Sequence, residues 1–219
     1  MKIFLKNNFI VLSLYLIALA TALFFICTYE KTAIHIYLNQ FVGNNLLNQF
    51  FYYITYLGDG IVAPFILLLI LIYNIRLGIC ATVSFLTATL IAQLLKNFFF
   101  DDVNRPWFVF QWENHFPIKY VDGVEKYIHH SFPSGHATQA FGIFMCLVFF
   151  TKNQLLKFIF FAIAMATSFS RVYLSQHWLE DITVGSIIGA AFSLAYYFIF
   201  IKDNKLQKLN KPLFNFKKI

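Results

Sequence analysis

The chain has 219 residues, 59% of them hydrophobic and only 12% charged, with a net charge of +7. Water-soluble domains carry roughly 25% charged residues, so a soluble globule is excluded and a membrane protein with several spans is the expected class. Cys27, Cys80 and Cys146 each fall in an apolar stretch with no CxxC or Cys/His grouping, so neither a disulfide framework nor a zinc site is indicated.

A span needs about 20 mostly apolar residues. In chain order the candidates are residues 9–28, 60–75, 78–99, 136–151, 155–172 and 181–201. The first follows Lys2 and Lys6 and contains Ala20-Thr21-Ala22, which looks like a signal-peptide cleavage site. Its apolar run continues through Ile26, however, longer than the roughly 7–15 residues of a signal-peptide core. It reads as a retained transmembrane helix. The stretch TAIHIYLNQFVGNNLLNQFFYYITYLGDG comes next, its apolar and aromatic residues broken by Asn and Gln. This pattern predicts a short amphipathic helix in the outer interface, ended by a Gly58-Asp59-Gly60 turn. The longest loop, residues 100–135, carries Trp107 and Trp112, a residue type that favours the membrane interface. The expected fold is all-α: a single domain over residues 1–219, built as a bundle of six transmembrane helices.

Basic residues orient this bundle. Six spans with the amino terminus inside place Lys2, Lys6, Arg76, Lys152, Lys157 and the tail lysines 202, 205, 208, 211, 217 and 218 on the inner side, eleven of the 17 Lys and Arg. Among the acids only Asp203 joins them. The positive-inside rule then puts both termini in the cytoplasm. The net positive charge is a topology signal near anionic lipid, not a nucleic-acid footprint.

Three polar clusters interrupt the apolar chain, and this topology brings all of them to the outer face. KNFFFDDVNRP contains Lys96 and Arg105; FPSGHA contains Ser134, Gly135 and His136; SRVYLSQHWLED contains Arg171, His177 and Asp181. On a helix His177 and Asp181, four apart, share a face, so the carboxylate can hold the imidazole. Arg171 is six residues before His177 and can reach the same point only if the helix breaks near Leu174-Ser175-Gln176. Ser134 is a favoured N-cap, Gly135 admits close backbone approach, and the free N–H groups of a helix start form an anion site. Taken singly these residues have plainer readings: Arg171 snorkelling to the interface, Ser134 a simple cap, Lys96 closing a span.

Together they describe a cradle for a tetrahedral anion. Lys96, Arg105 and Arg171 supply cations, and Arg suits bidentate contact with phosphate oxygens. His177, oriented by Asp181, reads as a nucleophile, and His136 as a general acid. The chemistry this fits is phosphoryl transfer through a phosphohistidine followed by attack of water, without a metal or other cofactor.

These residues resemble the three signature motifs of the type 2 phosphatidic acid phosphatase superfamily, K-x6-RP, PSGH and SR-x5-H-x3-D. PSGH stands intact at 133–136, and Ser170, Arg171, His177 and Asp181 fit the third motif. The first departs, because eight residues separate Lys96 from Arg105; the Asp101-Asp102 loop is where the extra length would be absorbed. The resemblance implies His177 as nucleophile, Asp181 as its partner and His136 as acid, with Lys96, Arg105, Ser134, Gly135 and Arg171 holding phosphate. It implies a phosphatase of the inner membrane whose site faces the periplasm or exterior and whose substrate is a membrane lipid phosphate. Polyprenyl diphosphate or a lipid A phosphate is favoured; phosphatidylglycerol phosphate and phosphatidic acid fit the same chemistry. A lipid-to-lipid phosphotransferase and a non-catalytic lipid transporter are the alternatives.

Overall fold

The computed structural model describes residues 2–214; Lys217 and Lys218 of the basic tail lie outside the described residues. The described residues form helices and connecting loops, with no strand among them. In chain order the helices are α1 (Lys2–Thr28), α2 (Lys31–Asn39), α3 (Asn45–Ile54), α4 (Ala63–Tyr73), α5 (Ile75–Phe98), α6 (Pro106–Phe108), α7 (Gly135–Phe150), α8 (Gln154–Tyr173), α9 (Leu179–Lys202) and α10 (Asn204–Gln207). A 3-10 turn, Thr55–Gly58, extends α3, and a π turn, Val109–Glu113, extends α6.

Four helices, α1, α5, α8 and α9, are long and apolar enough to cross a membrane. A fifth apolar unit is the pair formed by Asn45–Gly58 and α4, bent by 66°. Helix α7, with 16 residues, falls short of the length of a straight span. All six apolar runs read from the sequence are helical, as α1, α4, α5, α7, α8 and α9; four of them, or five units with the bent pair, have the length and composition to cross a membrane unaided. Asn74 leaves the helical region after Tyr73 and caps α5, its side chain accepting from Leu77 N–H. Ser134 does the same at the start of α7. The stretch expected to form one short amphipathic helix forms two, α2 and α3. Gly43 takes a positive φ of 111°, and Asn44 Oδ1 accepts from the N–H groups of Leu46 and Leu47 to start α3.

Helix α7 is the axis of the bundle: every residue from Ala137 to Cys146 is buried, so it is enclosed on all sides. Helix α9 packs on it through Gly185 and Gly189, spaced four apart. A Cβ at Gly189 would lie 2.4 Å from Thr138 O, so only glycine permits this backbone approach. Hydroxyls join the helices where apolar side chains alone give little preference in lipid. Ser193 Oγ lies 3.2 Å from Ser84 Oγ of α5 and 2.9 Å from Gly142 O of α7, and Tyr15 OH lies 3.1 Å from Ser186 Oγ. The bundle exterior is apolar, with Phe9, Leu16, Phe65, Leu69 and Leu90 exposed, as suits a surface solvated by acyl chains.

The two ends of the bundle differ in chemistry. At one end Lys157 donates to Asn7 O, Phe4 stacks near Tyr197, Arg76 donates to Phe200 O, and residues 209–213 hydrogen-bond to the α4–α5 corner. Most of the basic residues assigned to the inner side cluster here. The three polar motifs gather at the opposite end.

Candidate active site

The α8–α9 connection builds the centre of the site. Helix α8 stops at Tyr173, Ser175 adopts a positive φ of 55°, and the N–H groups of Gln176 and His177 both return to Arg171 O. The chain therefore breaks where the spacing of Arg171 and His177 requires. His177 is buried, and its Nδ1 lies 3.1 Å from Asp181 Oδ2. The same oxygen accepts from Trp178 N–H at 2.9 Å and from Ser131 Oγ. Three donors on one oxygen fix the carboxylate, and through it the ring.

Arg105 settles the tautomer. Its Nη1 lies 3.3 Å from His177 Nε2, and a guanidinium has only protons to offer. Nε2 must accept, so Nδ1 carries the hydrogen and donates it to Asp181. The lone pair of Nε2 then faces the cationic cluster. Burial, and then the charges of Arg105, Lys96 and Arg171, push the His177 pKa well below its usual 6.5, so the ring is neutral at physiological pH.

Arg105 is itself tightly held. Its Nε donates to His129 O, Nη2 to His130 O and Nη1 to Gln176 O. The carbonyls of two loop histidines therefore position it, a role no side-chain pattern announces. Arg171 is buried; its Nη1 donates to Thr55 Oγ1 at 2.9 Å, while its Nε has no protein acceptor. Lys96, in the last turn of α5, is buried and interacts electrostatically with Arg105, Asp181 and Arg171. The longer spacing of the first motif is taken up outside the site: Asp101 and Asp102 are exposed in a turn, after which Val103 O and Arg105 N–H pair with Ser131 N–H and Ile128 O.

Ser134 caps α7, and its own N–H donates to Asp181 O, tying the second motif to the third. Gly135 follows with nothing of the protein within 4 Å of where a Cβ would stand. Neither packing nor a positive φ demands glycine there, so the open side of this helix start is what distinguishes the position. His136 lies in the first turn of α7, and its Nε2 is 3.8 Å from Asp59 Oδ2. All eight residues singled out in the sequence, Lys96, Arg105, Ser134, Gly135, His136, Arg171, His177 and Asp181, thus belong to one end of the bundle. Sequence reasoning missed Thr55, Asp59 and Ser131, whose partners lie 50 or more residues away. It gave no role to His35, which is buried behind the turn with Nε2 3.1 Å from Ser175 Oγ.

Fold and site together define an apolar helix bundle with two histidines and three cations gathered at one end. A model of the PAP2 superfamily matches residues 77–205, more than half of the sequence, and the chain belongs to that superfamily. The crystal structure of Aquifex aeolicus LpxE is similar, with a TM-score of 0.64 and 24% identity over 75% of this chain and 92% of that one. So is that of a transmembrane PAP2-type phosphatidylglycerolphosphate phosphatase from Bacillus subtilis, with a TM-score of 0.61 and 21% identity over 96% of this chain and 99% of that one. A lipid A 4'-phosphatase of Bacteroides thetaiotaomicron is 34% identical over 68 residues, a match spanning 31% of this chain and 30% of that relative.

Proposed function

We propose that the protein is an integral membrane phosphatase that hydrolyses the phosphate of a membrane lipid, with a lipid A phosphate or a polyprenyl diphosphate as the favoured substrate. The observation that carries this reading is the disposition of His177. Its Nδ1 is held by Asp181 and its Nε2 lone pair is aimed at Arg105, inside a cluster that also contains Lys96 and Arg171. Superfamily membership and the activity named for the Bacteroides relative support the lipid phosphate class. The apolar exterior suits a substrate whose hydrocarbon chain stays in the bilayer; a cavity of about 720 Å³ among α1, α2, α8 and α9 is lined by Leu179 and Ile182 in the first turn of α9, but by none of the eight site residues.

In this mechanism the phosphate settles among Lys96, Arg105, Arg171 and the N–H groups at the start of α7, and takes over the Arg105 hydrogen bond to His177. Nε2 attacks phosphorus while the bond to the lipid oxygen breaks, and His136 gives that oxygen a proton. Asp181 steadies the ring as it gains positive charge. Water then attacks the phosphohistidine, passes a proton to His136, and inorganic phosphate leaves. Both termini would lie in the cytoplasm, with the site on the periplasmic or outer face of the inner membrane, because the basic residues collect at the opposite end.

Purified protein presented with a panel of lipid A, polyprenyl diphosphate, phosphatidylglycerol phosphate and phosphatidic acid tests the reading, with His177→Ala as the blank. Release of inorganic phosphate from at least one lipid by the wild type alone is expected. Phosphate moved to a second lipid without release would make the protein a phosphotransferase, and no turnover of any lipid would sink the proposal.

A further inference from the structure

Asp59 belongs to none of the three motifs and lies before the stretch that the superfamily model covers, yet it brings a carboxylate oxygen to 3.8 Å from His136 Nε2. The turn that carries it is fitted to the site. A Cβ at Gly58 would stand 2.7 Å from His136 O and 2.8 Å from Thr167 Cγ2, so glycine lets the turn close against α7 and α8 together. Thr167 Oγ1 donates to Ile54 O, and Arg171 Nη1 donates to Thr55 Oγ1, which lock the same turn from the α8 side. The two oxygens of Asp59 divide their work: Oδ1 accepts from Ile61 N–H at 2.7 Å and shapes the turn, and Oδ2 faces the imidazole.

We propose that Asp59 is a positioning residue for proton transfer, orienting His136 and supplying the counter-charge that lets its ring carry a proton beside three cations. The inference rests on the function proposed above and names how that site manages its acid. Burial, and then the charges of Arg171 of α8, Arg105 of the loop before α6 and Lys96 of α5, all disfavour a proton on His136, and His177 is its neighbour from the α8–α9 turn. A protonated imidazole among these groups needs a nearby anion. Asp181 Oδ2 is taken up by Ser131, Trp178 and His177, whereas Asp59 Oδ2 lies within ion-pair distance of His136. With Nε2–H held toward Asp59, Nδ1–H remains for the leaving lipid oxygen. That oxygen takes the proton as the P–O bond breaks, the N–H electron pair stays on Nδ1, and Nδ1 later accepts a proton from the attacking water.

Asp59→Asn separates the two jobs of the residue, because the amide oxygen can still accept from Ile61 N–H while the charge is gone. The contrast that reads the inference is between a lipid phosphomonoester, whose alkoxide needs a proton to leave, and p-nitrophenyl phosphate, whose phenolate does not. The variant should lose about tenfold or more in kcat/KM on the lipid phosphate, with the alkaline limb of that pH profile moved to lower pH. Its kcat/KM on p-nitrophenyl phosphate, which ends at phosphohistidine formation and leaves out the water step that also uses His136, should stay within about twofold of wild type. Asp59→Glu should recover part of the loss, and Asp59→Asn added to His136→Ala should cost nothing further. Should the Asn variant not fold, Asp59→Ser, whose hydroxyl can also accept from residue 61, takes its place. Equal losses on both substrates, an unmoved alkaline limb, or a full additional loss in the His136→Ala background would overturn the inference. Wild-type turnover of neither substrate would overturn the proposed function and the inference with it; wild-type turnover with an indifferent Asp59→Asn would overturn the inference alone.

Discussion

Gly185 of α9 and Ser134, the cap of α7, touch so closely that a Cβ on the glycine would stand 2.6 Å from the serine carbonyl oxygen. The contact joins the packing of the bundle to the candidate phosphate site, because Ser134 fixes where α7 begins. Gly185→Ala should push that helix start outward, costing about 1–3 kcal/mol of stability and lowering phosphatase turnover together. Gly189→Ala, which meets Thr138 O one turn deeper, should cost similar stability while protein that does fold keeps more of its activity. Thermal unfolding in detergent beside phosphate-release assays separates the two. Equal specific activity in the folded fractions of both variants would refute the link.

In the proposed mechanism His177→Ala removes the attacking nitrogen, and Asp181→Asn removes the charge that would steady it. Turnover of a lipid phosphate should fall by at least about a thousandfold in the first, and by about a hundredfold or more in the second. Phosphate release after detergent purification measures both, with the elution volume on gel filtration reporting folding. His177→Ala retaining more than a few per cent of wild-type turnover would remove it as the nucleophile.

Gly135→Ala should behave in the opposite way to the packing glycines. Nothing of the protein stands within 4 Å of the new methyl, and alanine suits the first turn of a helix better than glycine does. The variant should be at least as stable as wild type but bind phosphate poorly, since the methyl would project beside the N–H groups at the start of α7. A raised KM, or a raised inhibition constant for inorganic phosphate, with an unchanged melting temperature is the expected signature.

His35 makes acid stability a local question. Burial pushes its pKa down from 6.5 to about 4, so the folded chain refuses a proton that the unfolded chain accepts. Stability is therefore complete above about 6.5 and is lost as pH falls toward about 4, by up to about 3 kcal/mol from this one group. His35→Phe keeps a ring against Phe110 and Trp178 without the titration. Its unfolding free energy should change less than that of wild type between pH 6.5 and 4. Parallel curves for the two proteins would place the acid sensitivity elsewhere.

The second and third motifs were legible because their meaning is local. A Ser-Gly-His triplet starting a helix, and a His–Asp pair four apart on one, carry their geometry in their spacing. Even the break after Tyr173 followed from the need to bring Arg171 and His177 together. Asp59, Thr55 and Ser131 could not be read in this way: an acid between two glycines, a threonine ending an aromatic run and a serine two residues before a proline have ordinary turn roles, and only the folded chain shows what they face. The same holds for Arg105, whose position depends on backbone carbonyls at 129, 130 and 176. Hydropathy placed the apolar runs within a few residues, and the end of α7 within one, but the cap at Asn74 is a matter of hydrogen bonding and the 66° bend between α3 and α4 leaves no mark in the hydropathy.

The source of positive charge in the site makes a last prediction. Three fixed cations and a helix start surround the place where the phosphoryl group would transfer, and one of them, Arg171, keeps a buried Nε–H with no protein acceptor. A buried donor of this kind costs about 1–3 kcal/mol unless something accepts from it, so an oxyanion bound there would gain that interaction. Vanadate, which adopts the five-coordinate geometry of phosphoryl transfer, should accordingly inhibit at concentrations well below those of inorganic phosphate. Arg171→Lys, which loses the planar fork but keeps the charge, should weaken vanadate inhibition by about tenfold or more. EDTA should leave turnover unchanged, since in the proposed mechanism Lys96, Arg105 and Arg171 would neutralise the equatorial oxygens. Inhibition curves for wild type and Arg171→Lys, each with and without chelator, test the whole arrangement. Loss of activity on chelation that is restored by magnesium would mean that the cations at 96, 105 and 171 do not carry the charge, and the mechanism built on them would have to be abandoned.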